Sequence, residues 1–345
     1  MLIRGGSALV VKEFINESLL GNKGICKVNK VWLGLAVFSF LNANEGSPPL
    51  PSDLLGIILA VTCWSLTGFW INDLADEQVD ALAGRKPSSI CLFARYRAIA
   101  LIGIVALIGI GCVLMYSGSS GAILSYTLAL AIGYAYSIEP VRFKDREKWG
   151  LWAFTLCVVL ACVLFPWFWI RSSCISLILI LSMVFCDEWI KIYGHEVQDY
   201  QDDFSSLSKT HVVALGLERA QKTLRIQAHI AFAVLCSGLF LVGYIGGRST
   251  FPAIVLTWLG ALASAIYGGL ARSQNPPYIS LVRSLPLSYL GLSYATSRIL
   301  PVLLLVQMTW KSWYYSPILL WACLLIAIET WNWNKLAQPR SQAEC

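Results

Sequence analysis

Polar and apolar positions along this chain fall into long blocks. Apolar runs occupy residues 31–44, 54–71, 97–116, 121–138, 149–170, 174–192, 226–246, 250–271 and 315–332. A helix needs about 20 mostly apolar residues to cross a bilayer, and shorter ones are tolerated inside a bundle. These runs predict an all-α, polytopic membrane protein with about nine transmembrane helices. A further apolar stretch, 284–309, is interrupted by Pro286, Gly291, Arg298 and Pro301. It reads either as a tenth span or as a kinked, partly re-entrant segment. The organisation expected is a cytoplasmic N-terminal segment at 1–30, a transmembrane domain at 31–335 and a short tail at 336–345.

Composition agrees with the pattern. Of the 345 residues, 57% are hydrophobic and 13% are charged, too few charges to cover a soluble protein of this length. The net charge of +6 matters for orientation, not for nucleic-acid binding. Arg and Lys collect in alternate connections. Five precede residue 31; loop 72–97 holds Arg85, Lys86, Arg95 and Arg97; loop 139–149 holds Arg142, Lys144, Arg146 and Lys148; segment 191–225 holds Lys191, Lys209, Arg219, Lys222 and Arg225. The alternate connections 45–53 and 117–120 carry none, and the next two carry a single Arg171 and a single Arg248. The positive-inside rule then places the N-terminus and the three long polar loops in the cytoplasm, so the candidate chemistry lies on one face. The first 30 residues lack a signal-peptide pattern and resemble a cytoplasmic segment or a surface amphipathic helix. Eleven cysteines are scattered singly, without CxxC or zinc spacing, and read as small buried hydrophobes.

Two of the polar loops share a motif. "NDLADEQVDALAGRKP" at 72–87 carries Asp73, Asp76 and Asp80; "GHEVQDYQDDFSSLSKT" at 194–210 carries Glu196, Asp199 and Asp203. Both triads are spaced +3 and +4, each member is offset by 123 residues, and Lys86 maps onto Lys209 at the same offset. On a helix, positions i, i+3 and i+7 share a face, so three carboxylates would point together. Such crowding needs cations. Hard oxygen ligands favour Mg²⁺, which bridges carboxylates to substrate phosphates, and nearby Lys and Arg suit the remaining oxygens. Zinc is disfavoured by three His in the whole chain and no thiolate near His195; a calcium loop lacks its Gly and terminal Glu. A third loop, "YAYSIEPVRFKDREKWG", ends a span with Tyr134 and Tyr136, breaks at Pro140, and presents Arg142 and Lys144 two residues apart.

These residues together resemble the UbiA superfamily of intramembrane prenyltransferases. "NDLADEQVD" is similar to its first aspartate motif, "RKP" to the basic element that follows, "YSIEPVRFK" to its Tyr-plus-basic loop, and "DYQDDFSSLSKT" with Gly216 to its second motif. Glu196, Gln198 and the extra acid Asp202 depart from the family pattern. The resemblance implies a nine-helix bundle around a cavity, capped by the motifs on the cytoplasmic side. It implies Mg²⁺ and an isoprenyl diphosphate donor, C10–C20, held by Asp73, Asp76, Asp80, Asp199 and Asp203. Asn72 and Glu196 are expected as ligands or orienting groups. Lys86, Arg142, Lys144 and Lys209 are expected on phosphate oxygens, and Tyr136 or Tyr134 beside the allyl cation or the acceptor.

The implied reaction is transfer of the prenyl group to a lipophilic acceptor, expected to be aromatic. A terpene cyclase of the same superfamily would use the same ionisation chemistry without an acceptor, and aromatic residues such as Trp64, Trp152, Phe154 and Trp167 could shape its cavity. A transporter built on inverted repeats fits less well. The two motif copies are four spans apart, which gives them the same orientation.

Overall fold

A computed structural model of the chain describes residues 29–82, 88–205, 208–274 and 285–337. The expectations for residues 1–28, the last eight residues and Lys86 lie outside the described residues. Among the described residues all regular elements are helical: α1 (Asn29–Asn44), α2 (Pro51–Leu82), α3 (Arg95–Tyr116), α4 (Ser120–Ser137), α5 (Lys148–Ile170), α6 (Cys174–Gln198), the short α7 (Tyr200–Ser205) and α8 (His211–Leu215), α9 (Leu217–Gly246), α10 (Phe251–Gln274), α11 (Leu287–Lys311) and α12 (Ser316–Ala337). Six of them (α2, α3, α5, α9, α10 and α11) are long and apolar enough to cross a membrane on their own. The rods α1, α4, α6 and α12 pack among these, and the exact count of nine is not confirmed among the described residues. The stretch that read as a tenth span or a kinked segment forms α11, a helix over Leu287–Lys311.

Two helices in this bundle contain a π-turn, Leu160–Leu164 in α5 and Ala295–Ile299 in α11. Each lies just before a proline inside the helix, Pro166 and Pro301. A proline ring clashes with the carbonyl four residues earlier. Those carbonyls belong to Cys162 and Ser297, both inside a π-turn, where the wider winding makes room. This is why a stretch with Pro301 in its middle still spans as one rod.

The bundle is centred on α1. Residues 31–42 are all buried, among them Trp32, Phe38 and Phe40. The rod packs on α5, α6, α9 and α11. Lipid tails are as apolar as Leu, so helix association in a membrane rests on close packing and on interhelical hydrogen bonds. Both devices appear. The Tyr126 hydroxyl of α4 donates to the Ala60 carbonyl of α2 at 2.9 Å, and its ring fits where α3 carries Gly109. Gly291 of α11 lies so close to α10 that a Cβ there would meet the Ala261 carbonyl oxygen at 2.3 Å.

Short turns close one end of the bundle. There Asn42 Nδ2 donates to the Ile170 carbonyl (3.1 Å), Tyr315 Oη to that of Pro49 (2.8 Å) and Lys311 Nζ to Asn44 Oδ1 (2.9 Å). The long polar connections meet at the opposite end. Gly291→Ala is expected to destabilise the protein by about 1–3 kcal/mol, because a backbone carbonyl cannot step aside for the new methyl group. A thermal melt in detergent should show a lowered Tm. Gly268→Ala, whose Cβ would sit 3.4 Å from Leu287, should show no loss.

Candidate active site

The first acidic motif stands on a single helix. α2 continues past its apolar span to Leu82, so Asn72, Asp73, Asp76 and Asp80 occupy its last three turns. Asp73 is buried, and its carbonyl accepts from the Cys91 thiol at 3.6 Å, which ties the short 3₁₀ turn Ser89–Leu92 to the motif. Asn72 Oδ1 accepts from Ser137 Oγ at 3.1 Å and from Lys144 Nζ at 3.0 Å. Asp76 Oδ1 accepts from Arg142 Nη2 at 3.1 Å and also from Lys144 Nζ.

Both cations come from the loop between α4 and α5. Arg142 and Glu147, neither of them glycine, have φ of 37° and 46°. A residue in this region costs of order 1–3 kcal/mol and persists only where its surroundings hold it. Arg142 is held by Asp145 and Asp76, with further bonds to the carbonyls of Ala75 (3.4 Å) and Ser137 (3.5 Å). Burial opposes its charge, yet Asp145 and Asp76 keep its guanidinium above the ordinary value. Lys144 is buried more deeply. Burial lowers its ammonium below the ordinary value, although Asp76 works in the opposite direction.

The second motif departs from the expected continuous helix. Glu196 lies in the last turn of α6, Asp199 caps that helix with φ −87° and ψ 4°, and Asp203 lies in α7. Aspartate favours caps and turns over helix interiors, which accounts for the break. Continuity is kept by the Asp203 N–H, which donates to the Asp199 carbonyl at 2.9 Å. The Asp199 carboxylate lies 3.5 Å from His195 Nδ1. Glu196 accepts from the Val212 N–H at 3.3 Å. Burial chiefly, and Asp203 as well, pushes its carboxyl up to about 8 against the opposing effect of that N–H. Lys209 is exposed and meets the first cationic loop through its backbone: its carbonyl accepts from the Glu147 N–H at 2.7 Å, beside a parallel bridge between Glu147 and Thr210.

Three polar connections therefore converge. Arg142 and Lys144 reach α2, Glu147 reaches the loop of the second motif, and the Tyr136 ring lies within electrostatic reach of Glu196, Asp76, Asp145 and Asp203. Tyr136 packs on Phe154 at 5.8 Å between ring centroids. Below it Trp152, Phe185 and Trp189 form an aromatic cluster at 5.0–6.1 Å. Among the described residues no three His, Cys, Asp or Glu side chains close around a single point. The donor set is nonetheless hard carboxylate oxygen from two motifs at one end of the bundle, the chemistry that a hard divalent cation needs. Two contributions escaped the sequence reading. Ser137 gives no signal by spacing. The acids Asp187 and Glu188 lie inside the run 174–192, and Lys191, counted by sequence with the cytoplasmic loop, pairs with them; two acids followed by Lys at +3 and +4 were the available sign.

The sequence profile of the UbiA prenyltransferase family matches residues 31–283. Comparison with curated proteins finds no match. Among solved structures, a UbiA homologue from Archaeoglobus fulgidus bound to GPP and Mg²⁺ is similar, with a TM-score of 0.56, 21% identity and coverage of 79% of this chain and 94% of that one. The apo UbiA homologue from Aeropyrum pernix K1 has a TM-score of 0.57 at 18% identity, covering 81% and 98%. A digeranylgeranylglyceryl phosphate synthase has a TM-score of 0.58 at 13% identity, covering 85% and 98%. At such identities the structural likeness carries the fold alone. The profile match spans most of the chain and includes both acidic motifs, and the chain is an integral membrane protein that belongs to the UbiA prenyltransferase family.

Proposed function

We propose that the chain is a membrane-embedded, Mg²⁺-dependent prenyltransferase. It ionises an allylic isoprenyl diphosphate of C10–C20 and transfers the prenyl group to a lipophilic, aromatic acceptor, releasing diphosphate. The observation that carries this reading is the docking of Arg142 and Lys144 onto Asn72 and Asp76, which gathers anionic and cationic groups at one mouth above an apolar bundle. A donor with a charged head and a hydrocarbon tail needs both environments. The similar A. fulgidus protein was solved with GPP and with DMAPP, each with Mg²⁺, which supports the choice of ligands. The concentration of Lys and Arg in the polar loops supports a cytoplasmic side for the motifs and the N-terminus.

Asp73, Asp76, Asp80, Asp199 and Asp203 would hold Mg²⁺, whose charge neutralises the diphosphate when bound. Asn72 and Glu196 orient these carboxylates. Arg142, Lys144 and Lys209 bind diphosphate oxygens, and by sequence Lys86 joins them. The allylic C–O bond breaks with its electron pair leaving on the diphosphate, the group these cations are built to stabilise. The π-face of Tyr136 stabilises the allyl cation, and the apolar bundle keeps water from it. A carbon or oxygen of the acceptor supplies the electron pair for the new bond and then loses a proton.

The terpene-cyclase alternative draws on the cluster of Trp152, Phe185 and Trp189. Of the wall residues suggested by sequence, Trp167 does not join that cluster: it donates to the Ser173 carbonyl (3.1 Å) at the far end of the bundle.

In nanodiscs with Mg²⁺, Asp76→Asn and Asp199→Asn should each lower diphosphate release at least 100-fold, and a chelator should reduce it to background. Near-normal release by the double variant would sink the assignment. Lys144→Ala should raise the donor KM about tenfold and lower Tm as well, since the same ammonium pairs with Asn72 and Asp76 in the resting protein and one charge-assisted bond is worth about 1.5–3 kcal/mol. Mass spectrometry of the products separates the two reactions: an adduct that requires added acceptor means transfer, and cyclic hydrocarbon from donor alone means cyclisation.

A further inference from the structure

Three charged residues interrupt the apolar span of α6 well below the acidic motifs. Asp187 is 6% exposed and Glu188 1%, and Lys191 Nζ donates to Asp187 Oδ2 and, at 3.4 Å, to Glu188 Oε1. From α11, the Tyr289 hydroxyl donates to Asp187 Oδ1 at 2.8 Å. Arg298, in the π-turn of α11, lies 4.8 Å from the Tyr294 ring centroid and donates to Ser297 Oγ at 2.8 Å. Two acids and two bases make the cluster neutral. Charges at this depth are costly in a bilayer and mark a function by default. The cluster is not part of the duplicated machinery, because the positions 123 residues earlier are Trp64, Ser65 and Gly68.

Asp187, Glu188, Lys191, Thr296 and Ser297 line a cleft of about 20 Å³, whose apolar walls come from α1, α6 and α9. That is room for one water-sized group. Lys191 is its most open charged side chain, 35% exposed, and along α6 it is the charge of the cluster nearest the motifs. Glu188 and Lys191 stand eight residues before Glu196 and Asp199. Each is therefore about 12 Å deeper along α6 and rotated by about 80°, within one quadrant of the motif. A separation of about 12 Å is long enough for an aromatic ring to bridge the cleft and a donor held at the motif.

We propose that this cleft seats a hydroxyl group of the acceptor, and that the acceptor is a neutral phenol or enol without a carboxylate. The proposal rests on the prenyl-transfer reading and names its second substrate class. A hydroxyl is water-sized, donates to the Glu188 carboxylate and accepts from Lys191. A carboxylate is larger. It would also add negative charge beside Asp187 and Glu188, where the lining ammonium of Lys191 already pairs with both acids.

The test uses nanodisc-embedded protein loaded with Mg²⁺ and an uncleavable donor analogue. Saturable binding of 1-naphthol and of 1-hydroxy-2-naphthoate is measured against empty nanodiscs. The expected result is at least tenfold tighter binding of 1-naphthol. Glu188→Gln should reduce that ratio at least threefold with donor-analogue affinity unchanged. Thr296→Val, which keeps the shape and removes a hydroxyl from the cleft, should weaken 1-naphthol at least threefold and serves if the Glu188 variant does not fold. A role confined to packing would not move a ratio between ligands that differ in charge. A wild-type ratio near one, no saturable binding of either probe, or ratio and affinity untouched by the variants would overturn the proposal. Failure of the prenyl-transfer reading shows separately, as cyclic hydrocarbon formed from donor alone.

Discussion

Carboxylates crowded at the end of a membrane helix repel one another, and the lipid boundary weakens the water that would screen them. Here the remedy is a loop from another part of the chain. Lys144 and Arg142 both reach Asp76, and Lys144 also reaches Asn72. The rest of the polar end follows from that contact. The loop adopts positive φ at Arg142 and Glu147 to bring its cations inward, and its last residue pairs with the backbone beside Thr210. The second motif is thereby held over the first. Such pairing is strong where solvent is scarce. In the proposed enzyme the same cations meet a diphosphate, so one set of side chains serves both the resting fold and the reaction.

Below that end the bundle depends on shape. A central rod buried along residues 31–42 needs neighbours that come close, and they do so at Gly109 and Gly291. The π-turns before Pro166 and Pro301 let two helices carry a proline and still cross. The second of these also sets Thr296, Ser297 and Arg298 beside the charges of α6, which a regular helix would direct elsewhere.

Much of this was legible in the residues. Apolar composition is a strong signal, and the predicted runs end close to the helices found. The exceptions lie at the polar end, where α2 runs on to Leu82 and α6 to Gln198. Hydropathy reports the span and not the helix, and acids on a helix face do not stop it. The first motif has the expected geometry because all of its acids fall on α2. The second does not, because Asp199 ends a helix and α7 begins anew, a local choice that spacing alone does not reveal. Arg142 and Lys144 were recognisable as a pair from the polar loop after Pro140, although that loop winds into a 3₁₀ turn at Phe143–Asp145 and is not extended as its proline suggested. The bond from Ser137, the bridge at Thr210 and the π-turns depend on tertiary contact and leave no periodic trace. Asp187 and Glu188 were visible but were averaged away within a long apolar run.

The central claim is that the two acidic motifs and the cationic loop hold a donor diphosphate through Mg²⁺. The most direct measurement is equilibrium binding of an uncleavable allylic diphosphate analogue to the purified protein in nanodiscs, titrated with and without Mg²⁺. The account predicts saturable binding that requires Mg²⁺ and weakens at least tenfold in both Asp76→Asn and Asp199→Asn. Tight binding that ignores Mg²⁺, or that survives both substitutions, would contradict it.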